Sequence, residues 1–322
     1  MSRLLILQTG PGDPQVERAH TERPRVDTPR RIGPYHLITR LDPVGPGTPP
    51  VPQRRFVARS ADGDRTVLIS SPLETADPGR FLVEADAARR LLGPWVSPVS
   101  ELSPPSAAPW YASPYLPALP LPVALAVHGG RLPERTVRAL GAALAETLAG
   151  AHATGITHAG LSPAAVLLAG DGPRLACFGA ARAAAPDGVR RTGLPGLDPG
   201  CLAPEQASGG RPRPPGDLYA LGAVLAYAAT GHTVPDRAEL PQSLRSLIAH
   251  CLTRDPAERP TAAEVLHSLS PSSSAPASPV PGSAASLLAP GWLPGRVVAA
   301  VAHQSAKVLA AELRIPLPPR TS

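Results

Sequence analysis

His158-Ala159-Gly160-Leu161-Ser162-Pro163-Ala164-Ala165-Val166-Leu167-Leu168 is the stretch on which the reading of this chain turns. Cys177-Phe178-Gly179 begins 19 residues after His158. Beyond it come Ala203-Pro204-Glu205, then Asp217-Leu218-Tyr219-Ala220-Leu221-Gly222, and last Arg259 within Asp255-Pro256-Ala257-Glu258-Arg259-Pro260. On the N-terminal side lie strand-like pieces: Tyr35-His36-Leu37-Ile38, Arg55-Phe56-Val57-Ala58 and Thr66-Val67-Leu68-Ile69. Asp62-Gly63 between the last two predicts a hairpin turn. A helix is expected near 79–92, followed by proline-rich strand material to about Pro122. On the C-terminal side the pattern is helical. Pro133-Glu134 opens a helix whose Val137, Leu140, Leu144 and Leu148 recur with the helical period. Residues 217–230 are almost wholly apolar and predict a helix buried on all sides. Leu244, Leu247, Ile248, Cys251 and Leu252 mark another, and Thr261 with Glu264 forms a capping box before a short last helix.

In order and spacing these motifs resemble those of bacterial, especially actinobacterial, serine/threonine protein kinases, over roughly Arg31 to Ser268. The first stretch is similar to the family's catalytic loop, Cys177-Phe178-Gly179 to its Asp-Phe-Gly motif, and Ala203-Pro204-Glu205 to Ala-Pro-Glu. The resemblance implies an α+β, bilobal protein-kinase-like fold with a small β-rich N-lobe and a larger helical C-lobe. The expected organisation is a disordered arm over 1–31 and a kinase-like domain over 32–268, split into N-lobe 32–115 and C-lobe 116–268. A Pro/Ser/Ala linker at 269–291, an amphipathic helix at 292–314 and a tail at 315–322 complete it. Val297, Val298, Val301, Val308 and Leu309 are expected to share one face of that helix.

Phosphoryl transfer in this family relies on a strand lysine at the phosphates, magnesium held by Asp and Asn, and an Asp that receives the hydroxyl proton. The resemblance assigns these roles to residues that cannot fill them. The lysine position falls at Ile69, or at Leu68 with a slip of one residue, and the chain has no lysine before Lys307. Glu84, its expected partner, is left without a cation, and Arg65 stands about 13 Å along the strand, too far to substitute. Gly160 replaces the proton-accepting aspartate, and Ser162 replaces the loop lysine. The metal ligands fall at Ala165 and Cys177, a methyl and a soft thiol where magnesium requires hard oxygens. Gly45 and Gly47 remain from a phosphate-cradling loop, but the surrounding prolines remove its N–H donors, and Asp42 adds negative charge. Leu116 is at the segment that resembles the adenine-binding hinge.

The residues that hold such a fold together are kept: His158, Phe178, Gly179, Glu205, Asp217, Gly222 and Arg259. In the family the Ala-Pro-Glu glutamate pairs with the late arginine, which here implies Glu205 with Arg259. Thr192 is the only hydroxyl residue of the segment 180–202, with Arg190 and Arg191 before it, and is a candidate phosphorylation site. The reading that follows is a catalytically inactive regulatory or scaffolding module, not an enzyme. It has no metal and no catalytic residues, and acts by binding protein partners such as an active kinase or another signalling protein. The alternatives are a residual ATP-binding kinase with atypical or very weak phosphotransfer, and a nucleotide sensor that takes ATP without magnesium.

Composition narrows the remaining classes. The net charge is +6 over 322 residues, and all but one of the 31 basic residues are arginine, spread along the chain. Aromatics are 3 %, so no basic stripe with stacking side chains exists, and nucleic acid is not an expected partner. The three cysteines are far apart, which speaks against a disulfide framework or zinc site and for a reducing, cytoplasmic setting. No apolar run reaches the ~18 residues of a membrane span.

Overall fold

The computed structural model describes residues 31–45, 48–270 and 283–312. The expected arm up to residue 30, most of the expected linker and the tail lie outside the described residues, as do Pro46 and Gly47.

The small lobe is an antiparallel sheet crossed by one helix. Its strands are β1 (Arg31–Ile32), β2 (Tyr35–Arg40), β3 (Gln53–Ser60) and β4 (Thr66–Pro72); helix α1 (Pro78–Ala88) precedes β5 (Glu101–Leu102) and β6 (Tyr111–Pro114). The spatial order is β1-β2-β3-β4-β6-β5. The turn at Asp62-Gly63 sets the β3–β4 register: residues equidistant from it pair, Ala58 with Val67, Val57 with Leu68, Phe56 with Ile69 and Arg55 with Ser70. Because side chains alternate across a strand, this register fixes two faces. On the outer face Tyr35, Ala58, Val67, Ile69, Trp110 and Ala112 form a compact core, with Tyr35 edge-on to Trp110 at 5.6 Å. The inner face carries Val57, Leu68, Arg55 and Ser70 toward the second lobe. Helix α1 starts where Asp77 accepts the Arg80 N–H at 2.8 Å, with Pro78 in its first turn. It ends before the expected residue 92, because the Arg90 and Leu91 amides reach back only three residues, a tightened turn ahead of Gly93-Pro94.

The large lobe follows through β7 (Ala118–Pro120), α2 (Leu121–His128), α3 (Glu134–Ala153), β8 (Val166–Ala169), β9 (Gly172–Leu175), α4 (Ala180–Ala184), α5 (Pro204–Ala207), α6 (Pro214–Thr230), α7 (Gln242–Cys251) and α8 (Ala262–Leu269). Strands β7-β8-β9 make a second small sheet beneath the cleft. Helix α6 is buried nearly all round, as its apolar sequence dictates, and α3 packs against it and against α8. Thr261 and Glu264 close the capping box of α8. The architecture is therefore α+β and bilobal.

A last helix, α9 (Gly295–Glu312), lies back on the molecule against α2, β7 and β2, touching both lobes. Trp292 anchors its approach: its Nε1–H donates to the Gly170 carbonyl at 3.0 Å, and its own carbonyl accepts from Thr136 Oγ1 at 2.6 Å. The apolar stripe is narrower than the sequence implied. Val297, Val301 and Val308 are buried, whereas Val298 and Leu309 are 47 % and 60 % exposed. Each of those two follows a buried valine by one residue and so points about 100° away from it. No helix among the described residues is long and apolar enough to cross a membrane.

Candidate active site

The cleft between the lobes holds a cation that sequence reasoning missed. Arg55, on the inner face of β3, has no exposure to water. Its Nε–H donates to Asp42 Oδ2 at 2.8 Å, and its Nη2 meets both Asp42 Oδ1 and the Ala164 carbonyl, the latter at 2.8 Å. Its Nη1 donates to Cys177 Sγ at 3.8 Å. Burial works against the charge, but Asp42, helped by Cys177 and Tyr111, more than offsets it and the guanidinium stays protonated. Arg55 thus stands one strand away from the expected cation, opposite Ser70.

Ile69 is corrected in the same way. Its side chain belongs to the outer core with Tyr35 and Trp110, so the inward position where a strand lysine would reach the cleft is Ser70. The alternation that separates Leu68 from Ile69 decides this. Arg65 lies at the far end of the hairpin, beside the Tyr35 hydroxyl, and takes no part in the cleft. The signal for Arg55 was present in the sequence: the Asp62-Gly63 turn places it across from Ser70, on the same face as Val57 and Leu68.

Glu84 does have a cation. Arg182 of α4 donates to Glu84 Oε2 at 2.8 Å through Nε and at 2.7 Å through Nη2, and also reaches Thr157 Oγ1 at 2.8 Å. Glu84 packs so closely on Gly179, which has φ +79°, that a Cβ there would stand 2.3 Å from Glu84 Oε2. The glutamate is therefore tied to the segment after Cys177-Phe178-Gly179, not to β4.

The loop that resembles the family's catalytic loop is held in place by Asp217. Asp217 Oδ2 and Oδ1 accept the His158 and Ala159 amides at 2.7 and 2.9 Å, and His152 Nε2 joins at 2.9 Å. His158 donates from Nε2 to the Ala176 carbonyl at 3.0 Å and stacks on Phe178, with ring centres 4.4 Å apart. Burial lowers its pKa to about 4 despite Asp217, so the ring is neutral. Gly160 has φ +132°, and a Cβ would meet Ala180 Cβ at 2.7 Å and Ala181 N at 2.9 Å. A carboxylate at residue 160 is thus excluded by packing as well as by sequence. Ser162 is buried with no hydroxyl partner among the described residues. Ala165 is fully buried, and Cys177 is buried with φ +62°, its thiol pushed up to about 11 by desolvation. No group of three or more metal-ligating side chains exists among the described residues. A methyl and a protonated thiol do not fit magnesium.

The level of the cleft at which the resemblance places adenine is filled by the protein's own side chains. Leu41 and Leu68 from the small lobe and Ala118 from the connector pack on Leu167 and Ala169 of the large lobe. Leu116 is in that connector, 45 % exposed. Gly45 lies in an exposed turn, where its carbonyl accepts from Thr48 Oγ1 at 2.8 Å, and Gly47 is outside the described residues.

The segment 180–202 is fixed from within. Arg191 is fully buried and donates to the carbonyls of Ala181 at 3.0 Å, Gly210 at 2.8 Å and Ala185 at 3.2 Å, and to Asp187 Oδ1 at 2.9 Å. Thr192 is exposed beside it. Farther down, Arg259 grips Glu205 with two hydrogen bonds of 2.7 and 2.9 Å and covers the Tyr219 ring at 5.1 Å. Gly222 lies against Cys251, where a Cβ would approach to 2.6 Å.

No protein-family model matches the chain. It is 35 % identical over 263 residues to the probable serine/threonine-protein kinase PkwA of Thermomonospora curvata, covering 75 % of this chain and 34 % of that protein. It is 34 % identical over 292 residues to the serine/threonine-protein kinase AfsK of Streptomyces coelicolor, covering 84 % of this chain and 35 % of that protein. The chain therefore spans about a third of the length of these relatives. Among solved structures it resembles the kinase domain of PknI from Mycobacterium tuberculosis, with a TM-score of 0.56 and 20 % identity over 74 % of this chain and 94 % of that one, which shows the fold. Relatives of this identity over most of the chain are named kinases, which points to an enzyme and corrects the expectation that the chain is not one. By fold it is a protein-kinase-like chain, and its homologues are bacterial, actinobacterial serine/threonine protein kinases.

Proposed function

We propose that the chain is an atypical serine/threonine protein kinase of slow turnover, in which Arg55 takes the part of the missing strand lysine. The observation that carries this is the buried guanidinium on the cleft face opposite Ser70. Arginine recognises phosphate oxygens with a planar fork and keeps its charge at any physiological pH. On nucleotide entry Arg55 exchanges Asp42 for the phosphates, and Leu41 and Leu68 separate from Leu167 to admit the base. The acceptor hydroxyl of a partner protein then forms a bond to the terminal phosphorus, and the bond to ADP breaks. Gly160 supplies no base, so the hydroxyl proton passes to an oxygen of the transferred phosphoryl group, and a missing general base alone slows such a step by about 10²–10⁴-fold. Ala165 and Cys177 offer no ligand to magnesium, and ATP is taken without the metal.

The experiment is incubation of the full chain with terminally labelled ATP and a generic protein acceptor, with and without a chelator. The expected result is slow labelling that survives the chelator, falls to background in Arg55→Met and persists in part in Arg55→Lys. Labelling of Arg55→Met equal to the parent, or none in either, defeats the proposal. A second reading, a metal-independent nucleotide sensor, is favoured by Gly160 and shares the binding step. A melting temperature that rises with ATP concentration in the absence of any labelling selects it. Thr192, exposed on its segment, is the hydroxyl offered to a partner kinase.

A further inference from the structure

Helix α9 roofs a cavity of about 860 Å³ that adjoins the cleft between the lobes and shares Leu41 and Asp42 with it. That is within the ~300–1,000 Å³ typical of small-molecule sites. Its walls come from both lobes: Ile38 and Leu41 from the small lobe, Leu125 of α2 from the large one, and Val308 and Ala311 from α9. The lining is mainly apolar; its polar members are Thr39, Arg40, Asp42 and Thr48 from the small lobe, Tyr227 of α6, and Gln304 and Lys307 on one turn of α9. Gln304 and Lys307 are three residues apart on α9, so they share a face, and both line the cavity. Gln304 Oε1 is buried without a hydrogen-bond partner among the described residues. A buried acceptor left unpaired is uncommon in folded proteins and calls for a donor. Lys307, the only lysine of the chain, brings a positive charge to the exposed side, and Arg40 lines the same space.

We infer that this cavity is a binding site for an amphipathic organic monoanion whose apolar body carries an N–H or O–H beside the acidic group. The apolar walls take the body, Gln304 Oε1 accepts the donor, and Lys307 meets the anion. The site does not suit a triphosphate: Pro43, Pro49 and Pro122 line it and lack the backbone N–H groups that cradle phosphates. Because Leu41 and Asp42 form part of its wall, an occupant also bears on the lip of the cleft. It would hold α9 against β2.

Anilinonaphthalene sulfonate has this chemistry: fused aromatic rings, one sulfonate and one N–H. The test is its fluorescence titration on the full chain well below the melting transition. Saturable binding at one site is expected. Lys307→Met should weaken it about threefold, as for an exposed ion pair. Gln304→Leu should weaken it about fivefold, as for one neutral hydrogen bond. Ala126→Trp, at an exposed position on α2, and Ala311→Trp, on α9, should each fill the cavity and abolish it. The melting transition of each variant identifies those that fold, and either filled variant alone decides. Unsaturable fluorescence, undiminished affinity in a folded filled variant, or no response to Lys307→Met and Gln304→Leu overturns the assignment.

Discussion

A guanidinium shut away from water needs its charge answered at close range, and Arg55 has Asp42, a carbonyl and a thiol for that purpose. Removing only the carboxylate leaves a buried charge with no counterpart. Asp42→Ala should therefore lower stability by about 3–5 kcal/mol, while Arg55→Met combined with Asp42→Leu should melt at or above the parent, because an apolar pair of similar volume avoids the desolvation penalty. Calorimetric melts of the two variants check this, and equal losses in both would refute it. His158 gives a second test. Its native pKa is about 4 against 6.5 when unfolded, so between those values the unfolded chain binds a proton that the native state refuses. Stability should fall by about 3 kcal/mol as the pH drops through that window, with no contribution from this residue above 6.5. Urea midpoints of the parent and His158→Phe from pH 7 to 4 should diverge in slope over that range. At this scale the retained scaffold residues were legible, since each keeps the chemistry of its motif. The hairpin register put Arg55 on the cleft face, but the partners that bury it there, Asp42, the Ala164 carbonyl and Cys177, come from distant parts of the chain and were not legible.

At the scale of elements, the hairpin around Asp62-Gly63 and the buried course of α6 were readable from turn chemistry and periodicity. The end of α1 and the docked face of α9 were read too generously, since a stripe of valines does not say which edge meets a neighbour. What holds α9 is set outside it. Glu146 of α3 accepts the Ala284 amide at 2.9 Å and the Trp95 Nε1–H at 3.1 Å, and Trp292 plugs into the lobe just before the helix begins. Trp292→Ala should cost about 3–5 kcal/mol, as for an aromatic side chain removed from a core. The measurement is the thermal midpoint together with hydrogen exchange along α9. A midpoint within a degree or two of the parent would show that the helix docks without this anchor. The segment after Gly179 is another element set by arginines: Arg182 binds it to α1, and Arg191 ties its turns together.

For the molecule as a whole, the bilobal plan survives because the residues that build it stand apart from the positions at which the resemblance places phosphate chemistry. Asp217, Glu205 with Arg259, and the His158–Phe178 stack join the large lobe regardless of what stands at residues 160, 165 and 177. That separation made the architecture legible while leaving the cleft, with its buried Arg55 and the side chains that pack across it, to be found in three dimensions. Helix α9 adds a mechanical consequence. Resting on β2 above and α2 below, it is a clasp across the hinge, and the lobes cannot part without one of those contacts letting go. Any molecule bound for the cleft must wait for the clasp to release, so its arrival rate should level off at high concentration, at the frequency with which the helix lifts.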